Sequence, residues 1–135
     1  MKTVLTVVLC FAGTVWAADT ATRGRYYYGA EVESFHPCGS QNAYWVVGEE
    51  QMLKPLRDRT DKLRKPHGAY PPIYVEFIGE VNEQEEREGF AESYDALFHL
   101  RQVVRVLNTV PKDCPLRANG TLERDARKSS AHPSP

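Results

Sequence analysis

This chain is short of the side chains that usually carry chemistry. It has three cysteines, four histidines, two methionines and two tryptophans, and none falls in a spacing that forces a metal cage. Ser34, Ser40 and Ser93 stand outside any Gly-x-Ser-x-Gly context, and no histidine and acid are spaced as a triad. Nucleophilic catalysis therefore has nothing to attach to, and the expectation is a non-enzyme without a cofactor. Charge of one sign is also lacking, since 17 Lys and Arg face 18 Asp and Glu. That balance argues against a nucleic-acid partner, whose footprint is a strongly basic domain.

Long apolar runs are scarce too. The run from Val4 to Gly13 follows one base, Lys2, and precedes Val15-Trp16-Ala17, with small or β-branched residues where a signal peptidase reads. A membrane anchor needs roughly 20 apolar residues, and Asp19 and Arg23 arrive too soon. Residues 1–17 are thus expected to be a cleaved export signal, with no transmembrane segment afterwards. Cys10 lies inside the apolar run behind Leu9, the wrong context for lipid attachment, and leaves with the signal. The mature chain then carries a formal charge of −2, and about −4 up to Cys114, because the tail holds four bases and two acids.

What remains is rich in tyrosine, proline and glycine, with short period-2 segments in place of long helical ones. Arg25–Phe35 alternates Tyr26, Tyr28, Ala30 and Val32 against Gly29, Glu31 and Glu33, which predicts a first strand. His36–Ser40 is a turn, since Pro37 cannot donate to a ladder and Gly39 tolerates left-handed angles. Ala43–Gly48 is a second strand, and a short third is possible near Gln51–Leu53. Pro55 in a first turn with Leu56, Thr60 and Leu63 at helical spacing predicts a helix over Lys54–Arg64. Ile73–Val81 is the clearest strand, and Asn82–Gly89 is an acidic loop. Ala96–Leu107 reads as a last strand, although Leu97, Leu100, Val103, Val104 and Leu107 also fit a helical period, which alone does not arbitrate. Residues 115–135 have few large apolar side chains and are expected to be a disordered tail.

Two cysteines, Cys38 and Cys114, survive signal removal, and an exported chain meets an environment where disulfides persist. A bridge between them would close nearly the whole domain, worth about 4.5 kcal/mol by chain entropy. Two free thiols acting as metal ligands are the alternative.

The order of strands and helix is that of an oligonucleotide/oligosaccharide-binding (OB) barrel. Five features carry a closer likeness: Phe35-x-x-Cys38-Gly39, Tyr44-Trp45-Val46-Val47, the leucine helix, Pro72-Ile73-Tyr74-Val75 with Gly79, and Pro111-x-x-Cys114. Together these resemble the C-terminal OB domain of the envelope lipoprotein NlpE, over about residues 25–114. The resemblance implies a mainly β, five-stranded barrel with one short helix, closed by a Cys38–Cys114 disulfide. It also implies a periplasmic or secreted protein of the Gram-negative envelope, in a family associated with surface and copper sensing and an envelope-stress response. Unlike that family, this chain is expected to carry no lipid on Cys10, and its sequence contains no Cys-x-x-Cys pair.

An aromatic platform of Tyr26, Tyr28, Tyr44, Trp45 and Tyr74 is the candidate binding surface, of the kind OB barrels offer to bases or sugars. Core packing competes for at least half of these rings. With an acidic domain, a periplasmic or outer-membrane protein, a peptide or a glycan fits better than an oligonucleotide. A small copper-handling protein is the other functional expectation, with His36, His67, His99, Met52 and Cys38 as candidate ligands. The glutamates from Glu80 to Glu88 read as a solvated loop, with a weak calcium site as the residual possibility. Asn119-Gly120-Thr121 matches a glycosylation acceptor.

Overall fold

A computed structural model of the protein describes residues 19–66 and 70–116. The expected export signal (1–17), His67 and the glycosylation motif at Asn119 lie outside them, as does all of the expected tail except Pro115 and Leu116. Five strands, β1 (Thr22–Gly29), β2 (Val32–Pro37), β3 (Tyr44–Val47), β4 (Ile73–Asn82) and β5 (Ala96–Leu107), form a closed barrel in the order β1-β2-β3-β5-β4. All neighbouring pairs are antiparallel except β3 with β5, which is parallel. One helix, α1 (Glu50–Leu63), connects β3 to β4, and a single 3-10 turn (Gly89–Ser93) precedes β5. The expected OB architecture is the observed one.

The run expected as a single first strand is a hairpin. Gly29 pairs with Val32 across a two-residue turn, Ala30-Glu31, in which Glu31 takes a left-handed φ of 61°. Because the turn contains two residues, the inward-facing set switches from even to odd numbers. Tyr26 pairs with Phe35 and Tyr28 with Glu33, all toward the interior, while Val32 joins Gly29 on the other side. His36 and Pro37, expected in a turn, are the last residues of β2.

The helix also differs from expectation. It begins at Glu50, so the residues offered as a short third strand are its first turn. Pro55 is its sixth residue, and its missing N–H leaves the Gln51 carbonyl without a helical partner. Gln51 is exposed, so that carbonyl can reach water. Leu53, Leu56 and Thr60 are the buried face.

β5 is one continuous strand, which resolves its ambiguous period. Its register against β4 slips twice: Gly79 pairs with Leu100 and Ile78 with Gln102, skipping Arg101, and Phe77 pairs with Val103 and Glu76 with Arg105, skipping Val104. Each slip is a β-bulge, in which two residues oppose one. Alternation would bring Leu100, Gln102 and Val104 inward; the bulges bring Leu100, Val103 and Val106 there instead. A spacing of three, which imitates a helix in sequence, is here a twice-bulged strand.

The interior is built around aromatic rings. Phe35 lies 5.1 Å from Phe77 and 4.9 Å from Phe98, and Tyr26 meets Phe77 edge-on at 6.1 Å. Ile73, Val75, Val46 and Leu100 fill between them, with Leu53 and Leu56 of α1. Gly24 permits β1 to cross this core closely: a Cβ there would collide with the Phe35 ring and stand 2.6 Å from the His36 carbonyl oxygen.

Candidate interaction face

The outer side of β1, β2, β3 and β5 carries a row set by strand register. Tyr27 pairs with Ser34, Ser34 with Trp45, and Trp45 with Leu97, so these four side chains lie abreast. His36, next along β2, presents its ring edge-on to Tyr27 at 4.8 Å. Tyr94 meets Trp45 at 5.5 Å in a similar edge contact. Tyr94 is held there by its own backbone: its N–H closes the 3-10 turn on the Ala91 carbonyl at 3.1 Å. Asp95 then anchors the loop to the start of β3, its N–H donating to the Ala43 carbonyl at 2.9 Å and its carboxylate accepting from the Ala43 N–H at 2.8 Å.

Tyr27, His36, Trp45 and Tyr94 are half-buried, and Val47 beside them is exposed. Ser34 is 1% exposed. Its hydroxyl lies 3.1 Å from His36 Nε2, the distance of a nucleophile from its base, but it is closed to a substrate. Burial pushes the His36 imidazole below its ordinary pKa, the cation of its cross-strand partner Arg25 lowers it further, and Asp95 partly offsets both. The neutral ring is therefore favoured, and this face can offer stacking and neutral hydrogen bonds.

Of the five aromatics expected to form a platform, only Trp45 is on this face. Tyr26 and Tyr44 point into the barrel. Tyr28 is packed against the core beneath the Arg57 guanidinium, 5.4 Å from its ring centre. Tyr74 faces outward but is 1% exposed, lying under Arg23; its hydroxyl accepts from Arg23 Nε and donates to Glu76, both at 2.7 Å. On β1 the even-numbered tyrosines face inward, which leaves Tyr27 outside. Alternation would have found Tyr27 had the inward side been known. Tyr94 had no sequence signal, because its position depends on a turn and on Asp95.

Two constellations hold the ends of the β1–β2 hairpin. At its base Cys38 and Cys114 are joined in a disulfide. The segment ending in Cys114 is fastened further by Arg25, which donates to the Cys114 carbonyl at 2.8 and 3.2 Å, by Arg23 on Asp113 at 2.8 Å, and by the Gly39 N–H on the Pro115 carbonyl at 2.8 Å. At its tip Glu33 accepts from the Tyr26 hydroxyl at 2.6 Å and from Arg57 of α1 through two bonds, at 2.9 and 2.7 Å. Burial, followed by the Glu33 hydrogen bond, raises the Tyr26 phenol far above its ordinary range, so it stays a donor.

The candidate metal ligands are dispersed. Cys38 is in the disulfide, His36 faces Tyr27 and Ser34, and His99 on β5 lies 2.6 Å from Glu85. Met52 packs against the core. Among the described residues no group of three or more His, Cys, Asp or Glu side chains lies together as a metal site. Glu85 of the acidic loop is occupied by Asn82 as well as His99. No described helix is long and apolar enough to cross a membrane.

The chain is thus a five-stranded OB barrel with an aromatic outer face over β1–β3 and a disulfide at the base of one hairpin. Neither the family models, nor the curated proteins, nor the solved structures include a match to this chain.

Proposed function

We propose that this is a non-catalytic interaction or sensing module of the cell envelope, acting in the periplasm, whose partner is a protein, peptide or glycan bound on the outer face of β2 and β3. The observation that carries this reading is the row of Tyr27, Trp45 and Tyr94 with His36. It lies over strands β2 and β3, the surface through which OB barrels take ligands. Half-buried rings in fixed orientations supply contact area with little further loss of freedom. The acidic balance of the chain from Ala18 to Cys114 argues against an oligonucleotide. The resemblance to the NlpE OB domain supports the envelope setting and a link to envelope stress.

The bridge adds a second element. Its reduction would release the segment at the base of the hairpin, so a partner that distinguishes the latched from the released form would read the redox state of the compartment. The experiment is site-specific photocrosslinking in periplasm, with a benzophenone side chain at Trp45 and, as control, at Asp61 on the exposed side of α1. The expected result is one dominant adduct from position 45, absent from 61, whose yield changes when reductant is added. Equal adducts from both positions would overturn the binding face. A yield indifferent to reductant would overturn the redox link alone.

A further inference from the structure

A second binding surface lies away from this face. β3 pairs with β5 only from Ala96 to His99. From Leu100 to Leu107, β5 pairs among the described residues with β4 alone, so among them its opposite edge has no strand partner. Beside that edge runs a cleft of about 370 Å³, with Met52, Pro55, Leu56 and Arg59 of α1 on one wall and Val103 and Val106 of β5 on the other, where Gln102 and Arg101, the latter paired with Asp19 and Glu80, also border it. A second cleft, lined by Pro55, Arg59, Lys62, Leu63 and Asn108, shares Pro55 and Arg59 with it. The two form a groove along α1 from Gln51 to Leu63, about 18 Å at the helical rise, the length of about five extended residues.

The bulges of β5 create this groove. By turning Val103 and Val106 inward past the end of β3, they place apolar side chains where no strand covers them, and α1 covers them only in part. Charge along the groove is uneven. The one carboxylate on its wall, Asp58, is held by Lys54 at 2.7 Å. Arg59 bonds Asn108 at 3.1 Å, and among the described residues neither Arg59 nor Lys62 has a carboxylate partner. The side chains are thus apolar on the floor and cationic at the rim, next to backbone groups with no strand partner.

We propose that this groove binds an extended peptide with apolar side chains at alternate positions and acidic residues at the end that reaches Arg59, Lys62 and Asn108, added as a sixth strand along the open edge of β5. Its main chain pairs with β5, its apolar side chains enter the cleft, and its carboxylates meet Arg59 and Lys62. This is strand addition, in which backbone bonds give affinity and alternate side chains give specificity. The bulges limit pairing to a few bonds, so the apolar floor and the two cations carry much of the affinity.

The probe is a seven-residue peptide in which Val alternates with Ser and the last two residues are Glu, titrated into the isotopically labelled oxidised protein and followed by amide chemical shifts. Controls are the counterpart ending in two Lys and the Glu-ended peptide N-methylated at alternate residues. The expected result is saturable shifts over Leu100–Leu107 and the facing side of α1, absent with both controls. Arg59→Glu with Lys62→Glu should weaken binding by about tenfold or more while leaving the amide spectrum folded. The proposal is overturned by an absence of shifts up to about 1 mM, by binding of the Lys-ended or N-methylated peptide, or by unchanged affinity in the charge-reversed variant. Shifts at Tyr27, Trp45 and Tyr94 without shifts in β5 would also overturn it, assigning the peptide to the other face.

Discussion

The two ends of the β1–β2 hairpin are held by different physics. At the base a covalent bond between residues 76 apart in sequence closes the domain, and its contribution is chiefly the entropy it removes from the unfolded chain. At the tip a buried carboxylate is shared by a phenol and a guanidinium, and the contribution depends on every partner being present. The disulfide at the base is therefore indifferent to salt but sensitive to the redox potential around it, while the exposed Arg23–Asp113 pair beside it is screened by salt. The tip is indifferent to redox potential but intolerant of losing one member.

The largest expected effect comes from cutting the base. Cys38→Ser with Cys114→Ser should lower stability by about 2 to 5 kcal/mol in denaturant unfolding. Hydrogen exchange should accelerate first at Cys38, Gly39 and Cys114, while the amides of Tyr28, Glu33 and α1 keep their relative protection. If both ends lose protection together, the two holds are one cooperative unit and the contrast fails.

Breaking the tip is expected to cost somewhat less. Glu33→Ala removes the acceptor of the Tyr26 hydroxyl and leaves Arg57 with Glu50, 2.7 Å away, as its remaining carboxylate partner. The expected loss is about 3 kcal/mol, at the lower end for a buried pair because the Arg57 side chain is 24% exposed. Removing the whole network, with Glu33→Met, Arg57→Met and Tyr26→Phe together, should recover most of that loss, since no group is then left unpaired. Equal destabilisation of the single and triple variants would mean that the network supplies net stability and not only mutual satisfaction.

The smallest effect is pH dependence on the interaction face, which belongs to neither end. His36 is held below its ordinary pKa in the folded state, so the unfolded chain binds its proton more readily. The stability that depends on neutral His36 is complete above about pH 6.5 and is lost as pH falls through the depressed folded value. His36→Gln should flatten this part of the stability curve between pH 7 and the acid limb, measured as the denaturant midpoint against pH. An unchanged curve would mean that the ring is protonated in place without penalty.

The core of the helix, β3 and β4 could be read from hydrophobic period, prolines and glycines, because these express local preferences. The count of strands before the helix agrees only because one hairpin reads as a single strand and the first turn of α1 as another. The hairpin at Ala30-Glu31 could not, since it lacks the Asn-Gly or Asp-Gly signature of a two-residue turn and the alternation runs on through it unbroken. The bulges of β5 were hidden for a related reason: a bulge is an error of count against a partner strand, and one strand alone has no partner. Missing the turn inverted the expected faces of β2, and Tyr27 was overlooked in favour of Tyr26, Tyr28, Tyr44 and Tyr74, whose rings pack inside or are covered.

What the sequence determined by itself is the local character of most segments: that Ile73–Val81 is extended, that Lys54–Leu63 is helical and that Ala43–Gly48 contains a strand. Those are properties of near neighbours along the chain. Only the tertiary structure decided which side of each strand is the interior, because the inward face is chosen by closure of the barrel around Phe35, Phe77 and Phe98. It likewise decided that Glu33 is a buried partner of α1, that Tyr94 stands beside Trp45, and that β5 outruns β3 to leave an open edge. Each of these depends on residues far apart in sequence meeting at a fixed register, and register exists only between strands.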